Sequence, residues 1–89
     1  MSAVFCFSVH ADPTPCVLPR VLEVFALYGH VPERCHSQRT GRAGEDLVID
    51  VQLGDLSAAE AALVAKRLGR IVNVTNVLYS AKRQQWAAA

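Results

Sequence analysis

Five consecutive residues, Asp12-Pro13-Thr14-Pro15-Cys16, carry most of the chemistry that this chain could perform. Proline fixes φ and lacks an amide donor, so Thr14 followed by Pro15 suits a helix N-cap and the first helical position. Cys16 then falls in the first turn, where unpaired amides and the helix dipole favour a thiolate. One reading is a reactive thiol. The preferred one is packing between helix and strand, because a free cysteine usually serves as a compact apolar side chain. The amides around residues 14–17 could also hold a carboxylate or phosphate without any catalytic group. Alternatively, Thr14 simply caps its own helix and Asp12 offsets the dipole, with no ligand required.

Other reactive side chains point to less. His10, His30, Cys35 and His36 lack the paired short spacings of a metal site, and adjacent Cys35 and His36 would face opposite sides of a strand. No metal or cofactor is expected. His10 reads as a solvated or interface side chain, and His30 as a strand-entry residue. Arg34, Arg39 and Arg42 could line one end of a strand, yet no stacking aromatics accompany them, so an RNA platform is not implied. An acylphosphatase-like phosphate loop would need glycines and an arginine where Asp-Pro-Thr-Pro-Cys stands, so no catalytic residue is assigned.

The elements that must position these residues follow from periodicity. Residues 3–11 place Phe5, Phe7 and Val9 on one face and Cys6, Ser8 and His10 on the other, the alternation of a half-buried strand. After the double-proline break, a helix is expected from about Pro15. It carries an apolar stripe of Val17, Leu18, Val21, Leu22, Phe25 and Tyr28, tolerates Pro19 near its first turn, and is closed by Gly29. Residues 31–40 read as an irregular second strand with Pro32 near its start or on an edge, followed by a flexible Gly41-Arg42-Ala43-Gly44 connection. Residues 46–53 alternate cleanly, with Leu47, Ile49, Val51 and Leu53 on one side. Ser57-Ala-Ala-Glu60 is a capping box opening an alanine-rich helix that ends at Gly69. Residues 71–80 are rich in β-branched side chains, but Val74 and Val77 break strict alternation, which signals a bulge or a late start.

Composition limits the functional classes. At 89 residues one core must serve the whole chain, and a domain this short buries only about 60–65% of its unfolded surface, so self-association would help it. Aromatics make up 7% of the sequence, so the core must be built mainly from Val, Leu, Ile and Ala. Net charge is +1, with basic and acidic residues interspersed, so neither nucleic acid nor an acidic membrane is an implied partner. There is no apolar run long enough to span a membrane, and Arg20 is the first basic residue, so no signal peptide with a charged start is expected. Three cysteines without a C-x-x-C spacing suit a reducing, cytoplasmic setting with free thiols.

Two amphipathic helices alternating with strands in the order βαββαβ can hide both stripes only on the same face of one sheet. The fold class expected is therefore α+β: a ferredoxin-like sandwich spanning residues 1–81, with right-handed crossovers giving strand order 4-1-3-2. Residues 82–89 would form a mobile tail unless Trp86 finds apolar surface. The uncovered sheet face, with Val4, Cys6, Ser8, Val48, Asp50 and Gln52, is polar for a core yet apolar enough for contact, so dimerisation through the sheet face or its edge is expected.

The run from Ala11 through Asp-Pro-Thr-Pro-Cys-Val-Leu-Pro-Arg-Val-Leu-Glu-Val-Phe-Ala-Leu-Tyr to Gly29 resembles the opening of ACT domains, in which a D-R-P-G-like turn precedes L-x-R-V-x-x-x-F-x-x-x-G. The stretch Lys66-Arg-Leu-Gly-Arg-Ile-Val-Asn-Val-Thr-Asn-Val77 is similar to the closing motif of the small regulatory subunits of acetolactate synthase. The resemblance implies a non-catalytic homodimeric module that binds an amino acid or related effector, or modulates a partner enzyme. It places the ligand at Asp12, Thr14, Pro15, Cys16, Val17 and Leu18, with Cys16 standing where the family has a glycine. After Gly29 the family often reads G-x-N, whereas this chain has His30-Val31. A structural or adaptor dimerisation domain that has lost its ligand site is the alternative.

Overall fold

The computed structural model describes residues 3–82; of the expected mobile tail, residues 82–89, Lys82 ends the last strand and the rest, with Trp86, lies outside the described residues. The elements run β1 (Ala3–Ala11), α1 (Val17–Leu27), β2 (Arg34–Thr40), β3 (Asp46–Leu56), α2 (Ala58–Leu68) and β4 (Val74–Lys82). Four antiparallel strands form one sheet in the order β2-β3-β1-β4, which is the expected 4-1-3-2 order read from its other edge. β1 is central.

Alternation along β1 and β3 decides which face is covered. Phe7, Val9, Ile49 and Val51 are wholly buried, and they form one core with Val17, Val21 and Phe25 of α1 and Ala61, Val64 and Leu68 of α2. Both helical stripes therefore lie on the same side of the sheet. The shortest principal extent of the backbone is 17 Å, room for one helix layer and not for a second. Phe7 sits at the middle: its ring meets Phe25 edge-on at 5.7 Å and stacks on Tyr79 at 5.8 Å.

Several local readings are corrected. α1 begins at Val17, with Cys16 rather than Thr14 at the N-cap and no side-chain capping bond. The Thr14 carbonyl accepts the Val17 amide at 3.2 Å, so residues 14–16 make a turn of their own before the helix starts. The other end follows expectation. Gly29 takes φ +77°, its amide donates to the Ala26 carbonyl and that of His30 to the Phe25 carbonyl, the paired bonds of a Schellman closure. His30 thus ends a helix rather than entering a strand.

β2 is shorter than expected and regular. It starts at Arg34, after Pro32, and pairs with β3 without a register break from Arg34 opposite Gln52 to Thr40 opposite Asp46. As the edge strand it is exposed nearly throughout. β3 continues past Leu53 because an extra residue near Gly54 and Asp55 lets Leu56 regain the core face: Phe5 faces Leu53 but Ala3 faces Leu56. Asp55 there has φ +55°. β4 starts late and is also bulged. Val9 faces Val77 and Ala11 faces Val74, so the extra residue brings both valines against the core.

α2 opens as expected. The Ser57 hydroxyl accepts the Glu60 amide at 3.1 Å, and the Glu60 carboxylate accepts the Ser57 amide at 2.9 Å. Replacing Ser57 with Ala should destabilise the domain by about 1 kcal/mol, read from urea denaturation. The backbone bond from Ser57, then its hydroxyl, holds the Glu60 carboxyl below its ordinary pKa. A lowered folded-state pKa stabilises above the unfolded value, and that stability fades as pH falls through the lowered one. The wild-type advantage over Ser57→Ala should therefore narrow in acid and stay level between pH 6 and 8. An advantage that grew on acidification would contradict the box.

Candidate functional site

The β1–α1 turn is braced from the entry to β4. The Asp12 amide donates to the Asn73 carbonyl at 2.8 Å, and the Thr14 amide to the Asp12 carbonyl at 2.8 Å. Asn73 Nδ2 reaches Thr14 Oγ1 at 3.5 Å, and Thr75 Oγ1 donates to the His10 carbonyl at 3.1 Å. Asn73 holds φ +79°, in the left-handed region that asparagine tolerates better than most residues. Two elements far apart in sequence thus fix the shape of residues 12–16.

The residues singled out from sequence divide by exposure. Asp12, Pro15 and Cys16 are exposed, Thr14 and Leu18 half-buried, and Val17 wholly buried. Val17 lies in the core and its amide is spent on Thr14, so it offers no free group to a ligand. Pro15 and Pro19 carry no amide. The Cys16 and Leu18 amides are the donors at this helix start with no acceptor on another residue among the described residues.

Cys16 Sγ lies 3.7 Å from Thr14 Oγ1. That hydroxyl is the main influence holding the thiol below its ordinary pKa, and the Arg20 guanidinium adds to it. The Cys16 amide, one of the unpaired amides that the sequence pointed to, contributes in the same direction, while the larger influence of the Thr14 hydroxyl and that of Arg20 were not foreseen. Cys35 moves the other way, raised by partial burial and then by Asp50. A shallow hollow beside Cys16 is lined by Pro19, Arg20 and Glu23. Arg20 and Glu23 were absent from the sequence-based site; their i+4 and i+7 spacing from Cys16 was the available signal.

The uncovered sheet face carries the second concave region, about 530 Å³. Cross-strand register sets Arg34, Gln52, Cys6 and Ser80 in one row and His36, Asp50, Ser8 and Leu78 in the next. His10 Nε2 and Ser8 Oγ are 3.3 Å apart. Cys35 and His36 do face opposite sides, since they pair with Val51 and Asp50. Among the described residues no group of three His, Cys, Asp or Glu is placed to hold a metal. No described helix is long and apolar enough to cross a membrane.

A family model described as an ACT-like domain matches residues 1–86. No curated protein matches the chain by sequence. Among solved structures, an uncharacterized protein from Thermotoga maritima is similar with a TM-score of 0.73 at 12% identity, over 93% of this chain and 100% of the other. The ACT domain from GTP pyrophosphokinase of Chlorobium tepidum gives 0.74 at 5% identity, over 90% of this chain and 100% of that one. A homoserine dehydrogenase from Thiobacillus denitrificans gives 0.73 at 10% identity over 91% of this chain, which matches 17% of that enzyme. At such identities these likenesses speak for the fold.

Proposed function

The chain belongs to the ACT-like domain family, and from that premise we propose that it is a non-catalytic regulatory module working as a pair of copies. It binds an amino acid or related small effector at the β1–α1 turn, modulates a partner metabolic enzyme, or does both. The observation that carries this reading is the turn braced by Asn73, which leaves Asp12 exposed and sets Cys16 beside Arg20, with two amides that no other residue occupies. A carboxylate there meets N–H donors and a guanidinium, while Asp12 offers an acceptor to an ammonium group. The mixed sheet face, with Leu78 exposed among Cys6, Ser8 and Gln52, supplies the surface for a second copy.

Thermal melting with individual amino acids and small carboxylates tests the effector. At a hundredfold excess over Kd, mass action adds about 2.7 kcal/mol, a rise in Tm of about 10 °C or more for a domain this size. Cys16→Phe, at an exposed position, should leave the unliganded Tm near wild type and abolish the rise.

One observation favours an adaptor that has lost its ligand. Pro19 removes one of the amides that the first turn of α1 would otherwise offer, and a thiol side chain stands where the family has glycine. A dimer by light scattering with no thermal shift for any compound would decide for that reading.

A further inference from the structure

A groove of about 440 Å³ runs between α1 and the connection from α2 to β4. Its α1 wall is the face Arg20, Glu23, Val24 and Leu27, a spacing of i, i+3, i+4 and i+7 that flanks the core stripe. Tyr28, Ile71 and Val72 add to its apolar lining. Leu27 and Val72 are 77% and 74% exposed, so large aliphatic surface faces water at its margins. Arg67 and Arg70 complete the lining. Three of the chain's nine basic residues thus meet here against one of its eight acids.

One guanidinium is held in place by a neighbour. Arg67 Nε donates to Tyr28 Oη at 3.1 Å, which orients the plane while leaving both terminal nitrogens without a partner among the described residues. Arg70 likewise has none. Glu23 stands one helical turn from Arg20, so the least compensated cationic end is that of Arg67 and Arg70. Paired N–H groups of a guanidinium match the two oxygens of a carboxylate or phosphate. An apolar concavity with a few convergent polar groups is the usual form of a small-molecule site.

We propose that this groove binds a small amphiphilic anion, its carboxylate or phosphate held by Arg67 and Arg70 and its hydrocarbon body lying along Val24, Leu27, Ile71 and Val72. The site adjoins the hollow at the β1–α1 turn through Arg20 and Glu23 but does not rest on the effector reading. The charge pattern disfavours a cationic ligand, and the exposed aliphatic margins disfavour a fully hydrated anion such as free phosphate.

The test is an amide NMR titration of the full chain with decanoate and with decyl phosphate, both below their micelle concentrations. Saturable shifts should appear at Leu27, Tyr28 and residues 67–72 with either probe, the tighter one naming the head group. The double variant Arg67→Gln, Arg70→Gln, at exposed positions, should melt near wild type and bind at least tenfold more weakly. Leu27→Asp should do the same. Shifts confined to residues 12–18 or to the open sheet face would overturn the proposal, as would unchanged affinity in the arginine variant. Binding to phosphatidylglycerol vesicles without a response to either monomeric probe would overturn it in favour of a membrane surface.

Discussion

Phe7→Ala is expected to remove about 3–5 kcal/mol of stability, a large share of the roughly 5–15 kcal/mol that holds a small domain together. Phe7 is wholly buried on the central strand, with Phe25 edge-on to one side and Tyr79 stacked on the other. Truncation would forfeit the transfer energy of the ring and both aromatic contacts, and would leave a cavity that two hydrogen-bonded neighbouring strands cannot collapse to fill. Phe5→Ala should cost less, because Phe5 retains 7% exposure and reaches Tyr79 only at 6.5 Å. Urea denaturation followed by circular dichroism reads both. A loss below about 1 kcal/mol for Phe7→Ala, at the typical centre for point mutants, would mean that Phe7 is not the hub of the core.

Leu68→Ala should cost about 2–5 kcal/mol, whereas Leu63→Ala on the same helix should stay within about 0.5 kcal/mol. Leu68 is fully buried in the last turn of α2 and shares the core with Phe7 and Phe25, while Leu63 is 46% exposed. The contrast tests the orientation of α2 rather than its existence. Alanine has the higher helix propensity, so helix formation alone would predict no loss at either position. Equal losses at the two leucines would place the buried stripe on another face.

The two candidate sites divide the functional question along the length of α1. The β1–α1 turn offers two amides, a perturbed thiol and Arg20, small polar groups suited to an amino acid. The α1–α2 groove offers aliphatic surface and paired guanidiniums. Arg20 and Glu23 border both, so a ligand in one concavity would be felt electrostatically in the other. Titrating each probe with the other present would measure that coupling in either direction.

Strict alternation in residues 3–11 and 46–53, the α1 stripe, the Ser57 capping box and the Gly29 closure were all legible in the sequence, because each is a signal carried within a single turn or strand. They sufficed for the βαββαβ order, the shared helical face and the centrality of β1. The start of α1 was not legible. Thr14 has the chemistry of an N-cap, but its hydroxyl faces Asn73, 59 positions away in the chain, and the helix begins at Val17 instead. The bulge that returns Leu56 to the core was equally hidden, since a register break is defined only against the partner strand, whereas the one before Val77 showed as a break in the alternation of residues 71–80.

What the residues determined by themselves is the α+β architecture and the membership of the alternating apolar side chains of β1 and β3 in one core, since burial of a periodic stripe requires no knowledge of which partner covers it; Leu22, read as part of the α1 stripe, is exposed. What only the folded chain decided is which polar groups meet. Arg20, Arg67 and Arg70 lie up to fifty positions apart and converge on one groove because antiparallel strands and right-handed crossovers set α1 beside the end of α2. The thiol of Cys16 is tuned by a hydroxyl two residues away that a distant asparagine contacts. Local pattern specifies what must be hidden, and long-range pairing specifies which exposed groups become neighbours.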